Sequence, residues 1–221
     1  IEPTLAKPAE RELRHLDKLR YQLAQAPGVL DYIDLPIHDD HSTLTTAQLA
    51  DRYPRALLVS PPGMGKSTLL RRLALDACEA RIQSLAGHAL APLPLFASLS
   101  TWPTGQSFAA FLRHHWPYPL PFAEAIAHGH LWLFLDGLDE LGKDQGDRTA
   151  EIKRFITQDS SPYRVMLTCR TEHAVALAQS LGLPMLSLPT TLDDEWVHTF
   201  ARHYLKDQAD PFLTLLNAQP P

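Results

Sequence analysis

Ala56-Leu57-Leu58-Val59-Ser60-Pro61-Pro62-Gly63-Met64-Gly65-Lys66-Ser67-Thr68 places an apolar run, a proline-glycine loop and a helix start in immediate succession. A strand buried on both faces is apolar at every position, as Ala56–Val59 is. A helix is predicted from Ser67 to about Ser84. Strand, glycine loop and helix in that order are the setting a Walker A phosphate loop requires. Gly63 and Gly65 let the backbone curl so that successive N–H groups point inward at phosphate oxygens. The helix N-terminus adds partial positive charge at the same place. Lys66 is expected to reach the β- and γ-phosphates, and the Ser67 hydroxyl to ligate Mg2+. Ser60, Pro61, Pro62, Gly63, Met64, Gly65, Lys66, Ser67 and Thr68 are therefore the candidate contacts of ATP or ADP. Ser60 stands where the pattern has its first glycine, and a left-handed serine would cost about 1–2 kcal/mol. The loop is thus expected either to enter with a different dihedral or to hold nucleotide less tightly.

Outward from the loop, four further apolar runs read as strands: Leu93–Leu99, Leu131–Leu135, Arg164–Cys169 and Met185–Leu188. Helical stretches fall between them at Phe108–His115, Phe122–His128, Arg148–Gln158 and Glu172–Leu181. Short strands alternating with helices predict an α/β fold of the P-loop NTPase type, a five-stranded parallel sheet flanked by helices. Upstream, Leu13, Leu16, Leu19 and Leu23 make Glu10–Gln25 an amphipathic helix, either a packing element or a connector to a preceding domain. Tyr32–Ile37 alternates like an edge strand, and a polar loop follows over His38–His41. After Pro189 the strands stop, with helices predicted at Leu192–Leu205 and Pro211–Leu216. The expected organisation is a connector helix over 1–30, the nucleotide-binding domain over 31–189 and the start of a small helical subdomain over 190–221.

The strand at Leu131 runs out into Asp136-Gly137-Leu138-Asp139-Glu140. A carboxylate at the C-terminal end of a buried parallel strand lies beside the ligand crevice of such sheets. Asp136 is expected to hold Mg2+, and Asp139 and Glu140 to orient or deprotonate an attacking water, Glu140 foremost. Three carboxylates at one site repel, so a bound cation is expected to keep all three ionised. Arg170, at the tip of the neighbouring strand, either faces the γ-phosphate or pairs with Glu172 on the surface.

Bulk properties narrow the classes. Hydrophobic residues make up 45% of 221, enough for a sizeable core. A net charge of −5 disfavours nucleic acid as a partner without excluding a local basic groove. No run of 18 apolar residues predicts a membrane span. Cys78 and Cys169, the two cysteines, read as buried thiols in a reducing cytoplasm. The histidines at 38, 41, 114, 115, 128 and 130 lack the convergent set of four ligands that zinc takes, and the four tryptophans read as core or subdomain contacts. The chain opens on Ile1 and ends at Pro220-Pro221, so it is expected to be a piece of a longer protein.

Taken together, the phosphate loop, the Asp-Gly-Leu-Asp-Glu strand end and the Thr168-Cys169-Arg170 strand tip resemble a NACHT-type STAND NTPase. That family includes animal NLR immune sensors and bacterial antiphage proteins. The resemblance covers about Tyr32–Leu216. It implies that Arg170 is the arginine sensing the γ-phosphate and that Pro211 packs on the adenine base, although a helix-start proline is the other reading of Pro211. It also implies that Ile33–Ile37 flanks the base. The function so implied is a cytoplasmic ATP switch, hydrolysing slowly, that controls self-association of a signalling or immune-defence protein. Effector and sensor domains would lie outside the fragment, and Arg71 or Arg113 could serve as a finger from a neighbour. A nucleotide-stabilised scaffold without turnover and an AAA+-like motor ATPase are the alternatives.

Overall fold

The computed structural model describes residues 8–39, 41–85, 87, 90–157, 163–191 and 194–218. Helix α1 (Pro8–Ala24) precedes a hairpin of two-residue strands, β1 (Ile37–His38) and β2 (Thr43–Leu44). Helix α2 (Thr46–Arg52) leads into β3 (Arg55–Ser60), and α3 (Lys66–Ser84) into β4 (Leu93–Ser98). Helices α4 (Phe108–His115) and α5 (Phe122–Ala127) come before β5 (Leu131–Asp136). Then follow α6 (Gln145–Thr157), β6 (Arg164–Arg170), α7 (Thr171–Leu181) and β7 (Met185–Ser187). All these belong to one compact unit, residues 1–188. The second unit, residues 189–221, holds α8 (Asp194–Leu205) and α9 (Ala209–Asn217).

The sheet has seven strands in the order β2-β1-β7-β3-β6-β5-β4. The five long runs foreseen from sequence form its parallel part, with β3 between β6 and β7. What five strands leave out is the hairpin, which adds antiparallel to β7. The expected edge strand over Tyr32–Ile37 does not form. Pairing starts only at Ile37, just past Pro36, which has no N–H to donate to a ladder. The polar loop beyond is drawn in by Asp39, whose carboxylate accepts from His41 N, Ser42 N and the Tyr53 hydroxyl. Asp40 of that loop lies outside the described residues, as do Gln158 and Leu192 at the expected ends of two helices. Helix α6 starts at Gln145, ahead of the predicted Arg148, because its polar first turn carries no apolar residue to mark it.

The middle positions of β3, β5 and β6 are mostly apolar because alternate residues meet different cores. Leu57, Val59, Leu133, Leu135, Val165 and Leu167 pack with α4, α6 and α7 on one face. Ala56, Leu58, Phe134 and Met166 pack on the other with Leu69, Leu70 and Leu73 of α3 and Leu16 and Leu23 of α1. An ion pair buried between Glu12 and Arg81, 2.6 Å, joins α1 to α3. Helix α2 begins with a capping box, Thr45 accepting from Gln48 N and Gln48 from Thr45 N. Both cysteines are buried and free. In the second unit Ala201, Ala209 and Leu213 form a small cluster against Val197.

Candidate functional site

Ser60 is the last residue of β3, paired with Arg170 of β6. Among the described residues Lys206 is the non-glycine with positive φ, so Ser60 enters the loop extended and the left-handed cost does not arise. Its position instead serves Lys66. The Lys66 ammonium donates to Ser60 O at 2.6 Å, Pro61 O at 2.9 Å and Ser60 Oγ at 3.2 Å. After Pro61, Pro62 and Gly63 form a turn and Met64 and Gly65 a bend, with the two glycines at φ 80° and 83°. A Cβ at Gly63 would meet nothing within 4 Å, so the loop is open there. One at Gly65 would lie 3.6 Å from Leu35 Cδ1, which places the 33–37 segment against the loop. Thr68 lies in the first turn of α3. Burial, opposed by the Asp139 carboxylate and aided by the Arg170 guanidinium, lowers the hold of Lys66 on its proton. A polyphosphate seated at the loop acts in the opposite sense.

Asp136 ends β5 and is nine-tenths buried. Its Oδ1 accepts from Ser67 Oγ at 2.9 Å and Thr168 Oγ1 at 2.6 Å. Thr168 Oγ1 in turn accepts from Gly137 N at 2.8 Å, which orients the hydroxyl toward the carboxylate. Arg71 reaches Asp136 Oδ2 at 3.7 Å and lies over the Phe96 ring. Mg2+ keeps most of its water and takes one or two protein oxygens beside phosphate. Ser67 Oγ and Asp136 Oδ1 in contact fit that demand.

A second constellation sits at the tip of β6. Asp139 accepts from Arg170 N and Arg170 Nε, both at 3.1 Å, while Arg170 Nη2 stands 3.6 Å from Glu140 Oε1. Asp139 is buried, whereas Arg170 and Glu140 are about half exposed. An exposed pair of that kind contributes about 0–1 kcal/mol, so Arg170 can leave Glu140 cheaply. No group of three or more His, Cys, Asp or Glu among the described residues converges as a metal-ion site. Arginines already stand beside all three carboxylates: Arg71 by Asp136, and Arg170 by Asp139 and Glu140.

Gly137 makes the turn between the two, at φ 82°. A Cβ there would stand 2.9 Å from Glu140 Oε2. Gly137→Ala is expected to cost about 1–2 kcal/mol of stability, a melting-temperature drop of about 2–8 °C for a chain of this size. It should also push the Glu140 carboxylate aside. A thermal melt identical to wild type contradicts the strained turn.

Lys66, Ser67, Asp136, Asp139, Glu140 and Arg170 thus lie in one connected site. Arg71 is turned into its own chain's Asp136 rather than outward as a finger, and Arg113 is exposed in the last turn of α4. Thr168 was missed as a site residue, although it shares the face of β6 that carries Arg170, two residues on. Pro211 belongs to the second unit, exposed in the first turn of α9. No helix among the described residues is long and apolar enough to cross a membrane.

The model of the NACHT domain family matches residues 55–208, well over half of the chain. No curated protein matches it. Among solved structures, C. elegans PCH-2 aligns at 13% identity and TM-score 0.45, covering 90% of this chain and 46% of that one. AMPPCP-bound DnaA from Aquifex aeolicus aligns at 12% identity and TM-score 0.46, covering 92% and 56%. The chain therefore spans about half the length of these structures. The family match runs through the phosphate loop, the acidic end of β5 and the arginine tip of β6, and the chain belongs to the NACHT family of STAND P-loop NTPases.

Proposed function

We propose that this chain is an ATP/ADP switch with Mg2+ as its metal, turning over slowly and controlling self-association of a larger signalling or immune-defence protein. One observation carries the reading: Arg170 contacts both Asp139 and Glu140 at the strand tip opposite Ser60. Arg170 is then placed to exchange Glu140 for a terminal phosphate, which frees the carboxylate to accept a proton from water. Lys66 neutralises the β- and γ-phosphates, and Ser67 with Asp136 holds the metal, which screens charge on the transferred group. Pro211 is proposed as the adenine contact. Two nucleotide-dependent arrangements of Arg170 supply the differential affinity any ligand switch needs.

The test is to denature purified protein and identify the nucleotide released, then measure its mass by light scattering with ADP and with a non-hydrolysable ATP analogue. ADP in the resting protein and a larger species with the analogue alone are expected. Equal masses in the two states would sink the switch.

A further inference from the structure

Strands β5 and β6 pair as far as Leu135 and Leu167. Past that point side chains take over as acceptors for the backbone. Gly137 N donates to Thr168 Oγ1 at 2.8 Å, and Arg170 N to Asp139 Oδ1 at 3.1 Å. Thr168 is 2% exposed, within the run Val165-Met166-Leu167-Thr168-Cys169. Valine, of nearly the same shape, would satisfy packing there, and a buried hydroxyl is costly unless it is bonded. This one makes two bonds. A hydroxyl carries a single hydrogen. With the Gly137 N–H on a lone pair, that hydrogen goes to Asp136 Oδ1 at 2.6 Å, a short charge-assisted contact.

Asp136 needs this hold. The last bond of an aspartate side chain has only broad torsional minima, so a carboxyl with few partners swings. Ser67 Oγ also donates to Oδ1, at 2.9 Å, but Ser67 belongs to the mobile chemistry of the phosphate loop. The Thr168 hydroxyl bonds to Asp136 and Gly137 and stands on the neighbouring strand. The chain turns at Gly137, φ 82°, and Glu140 N donates back to Gly137 O at 2.9 Å. One hydroxyl therefore joins the Asp136 carboxylate to the turn that carries Glu140.

We propose that Thr168 is a positioning residue of the nucleotide site, holding the Asp136 carboxyl in the orientation that receives the metal and latching the Gly137 turn beneath Glu140. The proposal rests on the reading of the site as a Mg-ATP centre. Thr168 itself touches neither nucleotide nor metal; it acts through Asp136 and Gly137. Partners of this kind typically contribute 10–100-fold to metal affinity or activity.

The latch is read without nucleotide, from amide hydrogen exchange at Gly137 in the 15N-labelled chain, with Gly137→Ala identifying the signal. Thr168→Val is expected to speed that exchange about tenfold or more. Calorimetry with ATP, in Mg2+ and with EDTA in its place, reads the hold on Asp136. Thr168→Val should lose about 10–100-fold of affinity in Mg2+ and none in EDTA. Thr168→Ser, which keeps the hydroxyl, should restore both readouts. Should the valine chain not fold, Thr168→Ala carries the same comparison. Unchanged Gly137 exchange, a loss equal in Mg2+ and EDTA, or a serine variant no better than valine each overturns the assignment. A wild type that binds no ATP sinks the reading of the site. A wild type that binds more tightly with Mg2+, matched in Mg2+ by Thr168→Val, sinks the role of Thr168 alone.

Discussion

Lys66→Ala is expected to weaken Mg-ATP binding by about 100-fold or more, the loss seen when one partner of a buried, hydrogen-bonded charge pair is truncated. The Lys66 ammonium is half-buried and held by neutral oxygens of Ser60 and Pro61. Among the described residues no carboxylate stands at hydrogen-bond distance from it, and a polyphosphate would supply the counter-charge. Alanine leaves the inward-facing N–H groups and the α3 N-terminus, which retain part of the attraction. The fold should tolerate the change, because a desolvated cation is being removed and not a packing group. Calorimetry with Mg-ATP, beside a thermal melt, checks both halves. Wild-type affinity in a folded Lys66→Ala chain would mean that the loop does not hold phosphate.

Glu140→Gln is expected to lower phosphate release by about 10²–10⁴-fold, the range for losing a positioned general base. Glutamine keeps the size of the side chain and its reach over Gly137, and removes the proton-accepting charge. Since Glu140 touches neither Lys66, Ser67 nor Asp136 in the hydrogen bonds and ion pairs of the site, Mg-ATP affinity should stay as in wild type. The split between lost turnover and retained binding is what distinguishes a base from a residue needed for shape. A rate equal to wild type takes Glu140 out of the role. Turnover absent from both proteins favours the scaffold.

The phosphate loop was legible because its parts are contiguous. Strand, glycines, lysine and hydroxyl are neighbours in sequence, and local backbone geometry alone brings them together. β3, β5 and β6 were legible because they are buried on two faces and so read as nearly unbroken apolar runs, while β7, buried only at Leu186, was marked by its short Met-Leu-Ser-Leu run after a helix. The hairpin of Ile37–His38 and Thr43–Leu44 was not, since two-residue strands carry no period. Helix α2 did leave a local mark in Thr45 and Gln48, the two ends of its capping box.

The sequence alone established the architecture, the phosphate loop and the acidic strand end, because each is written in a short run whose chemistry and periodicity are local. The tertiary structure decided the electrostatics. Ser67, Arg71, Asp136 and Thr168 meet only because β5 and β6 are neighbours in the sheet and α3 packs across them. The same packing gives the carboxylates arginine partners, where composition suggested only mutual repulsion. It also lets Ser60 stand at the head of the loop without strain, since pairing of β3 with β6 keeps its backbone extended. Contacts between residues far apart in the chain depend on strand order and register, and no local pattern encodes either.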